Sequence, residues 1–213
     1  MVDVIRFVAL GDSLTTGFQS PRTFLLGRDE FPYTGFLEII LSREMLEKGL
    51  DRVDVSFRNM GILGDTTQIM LERFDSHVAA HEPDYVIVWG GINDLFMFQS
   101  LENIFKNLKE IYGKAREAGS EPIACTITSV LGYDQMIPRI MELNDMIKSY
   151  CTEHGILVAD LFAATSDEQG KLRETFSSDG VHLSHAGYRK VAYTLYYEAI
   201  ESILERIIEV EKS

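Results

Sequence analysis

The sequence predicts an α/β protein, a three-layer α/β/α sandwich built around a doubly wound, five-stranded parallel sheet. Three observations point there. Short apolar runs recur along the 213 residues, and longer amphipathic stretches separate them. The runs are nearly all apolar or become so at their ends, as expected of parallel strands covered on both faces. Strand-helix alternation places helices on both sides of such a sheet. Right-handed crossovers then leave few topologies, of which the flavodoxin-like one is the simplest.

The elements follow in order. The run Val4-Ile5-Arg6-Phe7-Val8-Ala9-Leu10 forms the first strand, over 4–10, and empties into Gly11. Further strands are expected over 53–58, 85–90, 122–127 and 156–160. Apolar periodicity places helices over 34–48, 67–80, 101–118 and 137–154. A last helix begins near Ser184, whose hydroxyl suits an N-cap. Its stripe of Ala192, Leu195, Tyr196, Ala199, Ile200, Ile203, Leu204, Ile207 and Ile208 is spaced to lie on the sheet. No repeat, low-complexity tract or linker interrupts the pattern, so residues 1–213 read as one domain. The irregular segments 18–33 and 128–137 both follow strand carboxyl ends, the edge where such sheets hold ligands.

Composition narrows the partners. A net charge of −13 argues against nucleic acid, whose binding rests on lysine and arginine neutralising phosphates. It equally disfavours an anionic membrane surface. Cys125 and Cys151 are too few for a disulfide framework, and Cys125, inside Pro122-Ile123-Ala124-Cys125-Thr126-Ile127, reads as a small buried side chain. No apolar stretch reaches membrane-spanning length, and no basic segment or cleavage site precedes the first strand. A cytoplasmic protein is expected, and the sequence leaves room for a homo-oligomer.

The chemistry lies in short segments at the carboxyl edge. Ser13, in Gly11-Asp12-Ser13-Leu14-Thr15, stands where a buried strand meets a turn and can present its hydroxyl there. Asp179-Gly180-Val181-His182 supplies a carboxylate and an imidazole three residues apart. Serine, histidine and aspartate form the acyl-transfer set, recognised by role and not by chain order. Two more segments reach the same edge, Asn59-Met60-Gly61-Ile62-Leu63-Gly64-Asp65-Thr66 and Gly90-Gly91-Ile92-Asn93-Asp94. Together the four segments, in this order, resemble the SGNH hydrolases, also called the GDSL esterase and lipase family, over nearly the whole chain.

That resemblance implies a role for each matching residue. Ser13 would be the nucleophile, His182 the general base and Asp179 the group that orients the imidazole. The backbone N–H groups of Ser13 and Gly64, with the Asn93 side-chain amide, would form the oxyanion hole. No cofactor and no metal is implied, and the partner is a small-molecule ester. The physics agrees, because a serine hydroxyl needs a base to accept its proton and the tetrahedral intermediate needs donors already aimed at its oxyanion. Asp179 and His182 share one short loop, unlike the remote acid that accompanies the Gly-x-Ser-x-Gly elbow.

Plainer readings stand beside these. Ser13 could cap a helix, Gly61 and Gly64 could shape a turn, Asn93 could form an Asx-turn, and Asp179-Gly180 is an ordinary turn pair. Asp12, Asp65 and Asp94 could bind Mg²⁺, as in a metal-dependent phosphohydrolase. Scaffolding is preferred, their carboxylates accepting loop N–H bonds. His185 rivals His182 but is expected in the first turn of the last helix. His77 and His81 share a helical face at i,i+4 spacing and read as surface residues. Phe18, Phe24, Leu25, Leu26, Phe31, Tyr33, Phe96, Met97, Phe98, Val130, Leu131, Tyr133 and Met136 lie in edge loops, some of them expected in the core and the rest as apolar rims of the site, with Arg22 and Arg28 the nearest cations. Such a cleft suits small to medium acyl esters. A carbohydrate O-deacetylase, thioesterase or lysophospholipase is the alternative within the family.

Overall fold

A computed structural model describes residues 3–19, 31–50 and 53–211. Five strands, β1 (Asp3–Gly11), β2 (Val53–Gly61), β3 (Tyr85–Trp89), β4 (Glu121–Cys125) and β5 (Leu157–Ala159), pair in parallel in the order β2-β1-β3-β4-β5. This is the expected flavodoxin-like order, with the switch point between β1 and β3. Register matters most at the carboxyl end. Gly11 stands opposite Gly61 on one side and Trp89 on the other, so three strands stop level. Deeper in, Phe7 stacks on its register partners Phe57 and Tyr85, with ring centroids 4.8 and 5.1 Å apart.

The helices are α1 (Ser13–Thr16), α2 (Tyr33–Lys48), α3 (Thr67–Glu72), α4 (Phe74–His77), α5 (Ile92–Phe96), α6 (Leu101–Glu117), α7 (Ile137–His154), α8 (Leu161–Thr165), α9 (His185–Leu195) and α10 (Glu201–Glu211). Two helical layers cover the sheet: α2 packs on α9, and α6 packs on both α3 and α7. Local chemistry sets their ends. The Ser100 hydroxyl accepts the Asn103 N–H to start α6, and Lys114 and Arg116 stand in its last turn, where cations oppose the dipole. Ser184 caps α9 as expected, accepting from the Gly187 N–H. Buried Asn144 of α7 pairs with both the N–H and the carbonyl of Ile127, at 2.7 and 2.8 Å, and so fixes the chain leaving β4.

Two helical expectations need correction. The helix expected over 67–80 divides into α3, α4 and a 3-10 turn, Ala79–His81. Met70, Phe74 and Val78 are all buried at the four-residue spacing of one helix, but Arg73 between them turns inward and takes non-helical dihedrals, φ −92° and ψ 2°. His77 and His81 therefore share no helical face. The last helix is interrupted by a π-helical turn, Tyr196–Ile200, between α9 and α10. Helices α1, α5 and α8 went unpredicted, because four or five residues are too few to show a period of 3.6.

Cys125 and Cys151 are both buried free thiols. Burial pushes both upward, the Cys151 thiol to about 12, so neither is a poised nucleophile. Among the described residues no helix is long and apolar enough to cross a membrane. Phe7→Ala will lower the free energy of unfolding by about 3–5 kcal/mol, since the ring is fully buried between two aromatic neighbours. Gly113→Ala, inside α6 with open space at its Cβ position, will raise it by about 0.5–1 kcal/mol. Urea unfolding of both variants measures the contrast.

Candidate active site

Strand β1 delivers the chain to Asp12, and Asp12, not Ser13, caps α1. Its Oδ1 accepts the Leu14 N–H at 2.9 Å. Ser13 is thus the first helical residue, and its hydroxyl is free to turn toward His182, with Oγ 3.0 Å from Nε2. Asn59 of β2 braces α1 by donating to the Thr15 carbonyl at 2.6 Å, while its own Oδ1 accepts the Gly61 N–H.

The loop bearing Asp179 and His182 is closed by a bridge between Ser177 and Leu183. Asp179 Oδ1 accepts the backbone N–H groups of Val181 and His182, and Oδ2 lies 2.7 Å from His182 Nδ1. A carboxylate can only accept, so Nδ1 carries the proton and Nε2 faces Ser13 as an acceptor. Burial pushes the Asp179 carboxyl up, but the hydrogen bonds from the His182 ring and from the two backbone amides outweigh it and hold it at about 2. Gly180 adopts φ 99°, and a Cβ there would lie 2.4 Å from the Leu131 carbonyl oxygen. Phe18 meets the His182 ring edge-on at 4.6 Å, its carbonyl accepting from the Tyr188 hydroxyl. The His182 and Asp179 side chains are 21% and 28% exposed, so the pair is within reach of solvent.

The other two segments arrive from β2 and β3. Asp65 donates its N–H to the Ile62 carbonyl, closing a turn whose third residue, Gly64, has φ 79°. Type II turns demand that value there. Nothing lies within 4 Å of a Cβ built on Gly64. Asn93, in the first turn of α5, donates one amide proton to the Asp65 carbonyl at 2.8 Å. An amide nitrogen carries two protons, so one remains for a ligand.

The three acidic residues have separate partners. Asp94 takes the N–H and hydroxyl of Thr67 at 2.9 and 2.7 Å, and with Asp12 it follows the scaffolding expectation. Asp65 does not: its Oδ2 accepts from Arg73 Nε at 2.6 Å. Arg73 Nη2 also donates to the carbonyls of Gly11 and Met60, at 3.0 and 2.8 Å. Among the described residues no three His, Cys, Asp or Glu side chains gather as a metal-binding group. His185 heads α9 against the rings of Phe31 and Phe36, at 5.4 and 4.9 Å.

Around this centre Leu63, Met97, Phe98 and Tyr133 are exposed, and Phe96 meets Tyr133 edge-on at 5.4 Å. Val130 and Met136, expected in the wall, are core residues, as is Tyr33. Arg22, Phe24, Leu25, Leu26 and Arg28 lie outside the described residues. Sequence reasoning missed Arg73 and Asn59. Arg73 did leave a signal, a cation three residues past Met70 on the apolar face of its helix.

The GDSL-like lipase/acylhydrolase family model matches residues 9–190. The fold is similar to that of a lipase/acylhydrolase from Enterococcus faecalis, with 25% identity and TM-score 0.69 over 91% of this chain and 94% of that one. A candidate lipolytic protein of the G-D-S-L family from Desulfitobacterium hafniense gives 25% identity and TM-score 0.70, over 90% and 98%. The acetylxylan esterase Axe2 from Geobacillus stearothermophilus shares the fold at TM-score 0.75 and 21% identity, over 92% and 95%. The chain is also 24% identical over 151 residues to an N-acylneuraminate cytidylyltransferase of Streptococcus agalactiae serotype V, covering 70% of this chain but 36% of that relative's length.

The Asp12 side chain is fully enclosed by protein. Burial pushes its carboxyl up to about 7, and its Oδ2 has no hydrogen-bond partner among the described residues. A folded-state value above the unfolded one means stability that is complete below about pH 4 and lost as pH rises through about 7. Asp12→Asn removes that titration and keeps an acceptor for Leu14. Relative to this variant, the wild type will lose stability on the order of 4 kcal/mol between about pH 4 and pH 8. Denaturant melts across that range check the sign.

Proposed function

The chain belongs to the GDSL-like lipase/acylhydrolase family, and from that membership we propose a serine carboxylic ester hydrolase working through an acyl-enzyme. The observation that carries the proposal is the relay from Ser13 Oγ through His182 to Asp179, with links of 3.0 and 2.7 Å. Ser13 Oγ attacks the ester carbonyl carbon as its proton passes to His182 Nε2. Asp179 holds the imidazole in that tautomer and stabilises the imidazolium that forms. Negative charge develops on the former carbonyl oxygen, facing the N–H groups of Ser13 and Gly64 and the second amide proton of Asn93. Collapse of the intermediate breaks the bond to the alcohol, which leaves with the proton from His182. Water, deprotonated by His182, then attacks the acyl-enzyme by the same route and releases the acid.

The substrate is a small-molecule ester. Exposed Leu63, Met97, Phe98 and Tyr133 favour small to medium acyl groups. A second reading, a carbohydrate O-deacetylase, is favoured by the fold shared with an acetylxylan esterase at TM-score 0.75. A panel of p-nitrophenyl esters from acetate to octanoate, beside acetylated oligosaccharides, separates the two by kcat/KM. Thioesterase and lysophospholipase activities are tested by adding acyl-CoA and lysophospholipid to the same panel.

Ser13→Ala will abolish ester cleavage by the purified protein, and the wild type will be inactivated by a serine-directed organophosphate and not by a chelator. Asn93→Ala will lower kcat by about 10²–10³-fold. Full ester cleavage in Ser13→Ala would sink the nucleophile assignment, and loss of activity to the chelator alone would favour a metal-dependent phosphohydrolase.

A further inference from the structure

We infer that Arg73 is a positioning residue whose guanidinium sets the spacing of the oxyanion donors; the inference rests on the serine hydrolase reading above. Three segments converge on this one side chain. Nε pairs with Asp65 Oδ2 at 2.6 Å, and Nη2 reaches the carbonyls of Gly11 at 3.0 Å and Met60 at 2.8 Å. Two of the three contacts lie close to a proposed donor. Gly11 is two residues before Ser13. Asp65 follows Gly64 directly, and the Asp65 carbonyl holds the Asn93 amide at 2.8 Å. The Gly11 carbonyl also accepts the Ile62 N–H at 3.1 Å, joining the Gly64 turn to the end of β1. One planar fork therefore ties the carboxyl ends of β1 and β2 to the loop that aims the third donor.

Stability alone does not account for an arginine here. The pair is sealed from water, with Arg73 8% and Asp65 4% exposed. Arg73 Nη1 is buried with no hydrogen-bond partner among the described residues. Buried ion pairs commonly stabilise no better than apolar residues of similar volume. The neighbours on this face, Met70, Phe74 and Val78, are apolar, and the arginine interrupts the helix they would otherwise share. What the guanidinium adds is a rigid geometry with several fixed donors, which an ammonium on a flexible stem cannot reproduce. Oxyanion donors depend on such preorganisation, and misplacement by about 1 Å can cost about 10²-fold in rate.

The test compares Arg73→Lys, Arg73→Met and Asp65→Asn with Asn93→Ala on p-nitrophenyl butyrate, with thermal melts to confirm folding. An alkylboronic acid, which forms a tetrahedral adduct with a serine hydroxyl, serves as transition-state probe. Arg73→Lys is expected to lower kcat by about 10- to 100-fold with KM within about threefold, and Arg73→Met by at least as much. Boronate affinity will fall in step with kcat/KM. Combining Arg73→Lys with Asn93→Ala will cost less than the product of the single losses, because both act on the same oxyanion. Wild-type kcat and boronate affinity in folded Arg73→Lys, or a change confined to KM, overturns the role of Arg73 while leaving the hydrolase reading intact. Unchanged kcat in Asn93→Ala overturns the oxyanion assignment itself, and this inference with it. Should Arg73→Met not fold, Arg73→Lys and Asp65→Asn decide the matter.

Discussion

The site depends on three parallel strands that stop at the same level. Where Gly11 stands between Gly61 and Trp89, the backbone carbonyls at the strand ends have run out of sheet partners. Buried carbonyls need replacements, and the loops supply them: Ile62 and Arg73 at Gly11, and Arg73 again at Met60. The bonds that finish the sheet also brace the turn carrying Gly64 against the end of β1, from which Ser13 follows. Sheet termination and site construction are one structural event.

Two aspartates close to this edge show how environment separates like groups. Asp12 has one backbone donor and full burial, and desolvation wins, taking it up to about 7. Asp179 is also partly buried, yet three donors from Val181 and His182 keep it charged, at about 2. Complete burial with a single donor on one side, and partial burial with three donors on the other, set the two apart. The carboxylate behind the imidazole therefore stays an acceptor through the neutral range, and that fixes the tautomer His182 presents to Ser13.

How much of this was legible in the residues varies by element. All five strands stand where the sequence placed them; the central strands β3 and β4 are buried nearly throughout, as their apolar composition implies, whereas the edge strand β2 alternates exposed and covered residues. The long helices α2, α6 and α7 were equally plain. The division of 67–80 was hidden because Met70, Phe74 and Val78 keep helical spacing through the break, and its cause, the inward turn of Arg73, depends on acceptors from distant segments. Contacts were legible where one short segment holds interacting groups, as in Asp179 to His182. It was not legible where partners meet only in the fold. Nothing local says that Asp65 serves Arg73 while Asp12 and Asp94 serve backbone N–H groups. Nor does composition tell a wall from a core, as Val130 and Met136 demonstrate.

The contact between Gly180 and the segment after β4 has a wider bearing. Leu131 donates its N–H to the Gly180 carbonyl at 2.8 Å, and Tyr133 on the same segment meets Phe96 at 5.4 Å. The segment after β4 is thereby fastened to the short loop that carries Asp179 and His182. A substitution that shifts the backbone at Leu131 will therefore displace the loop that holds His182 as well.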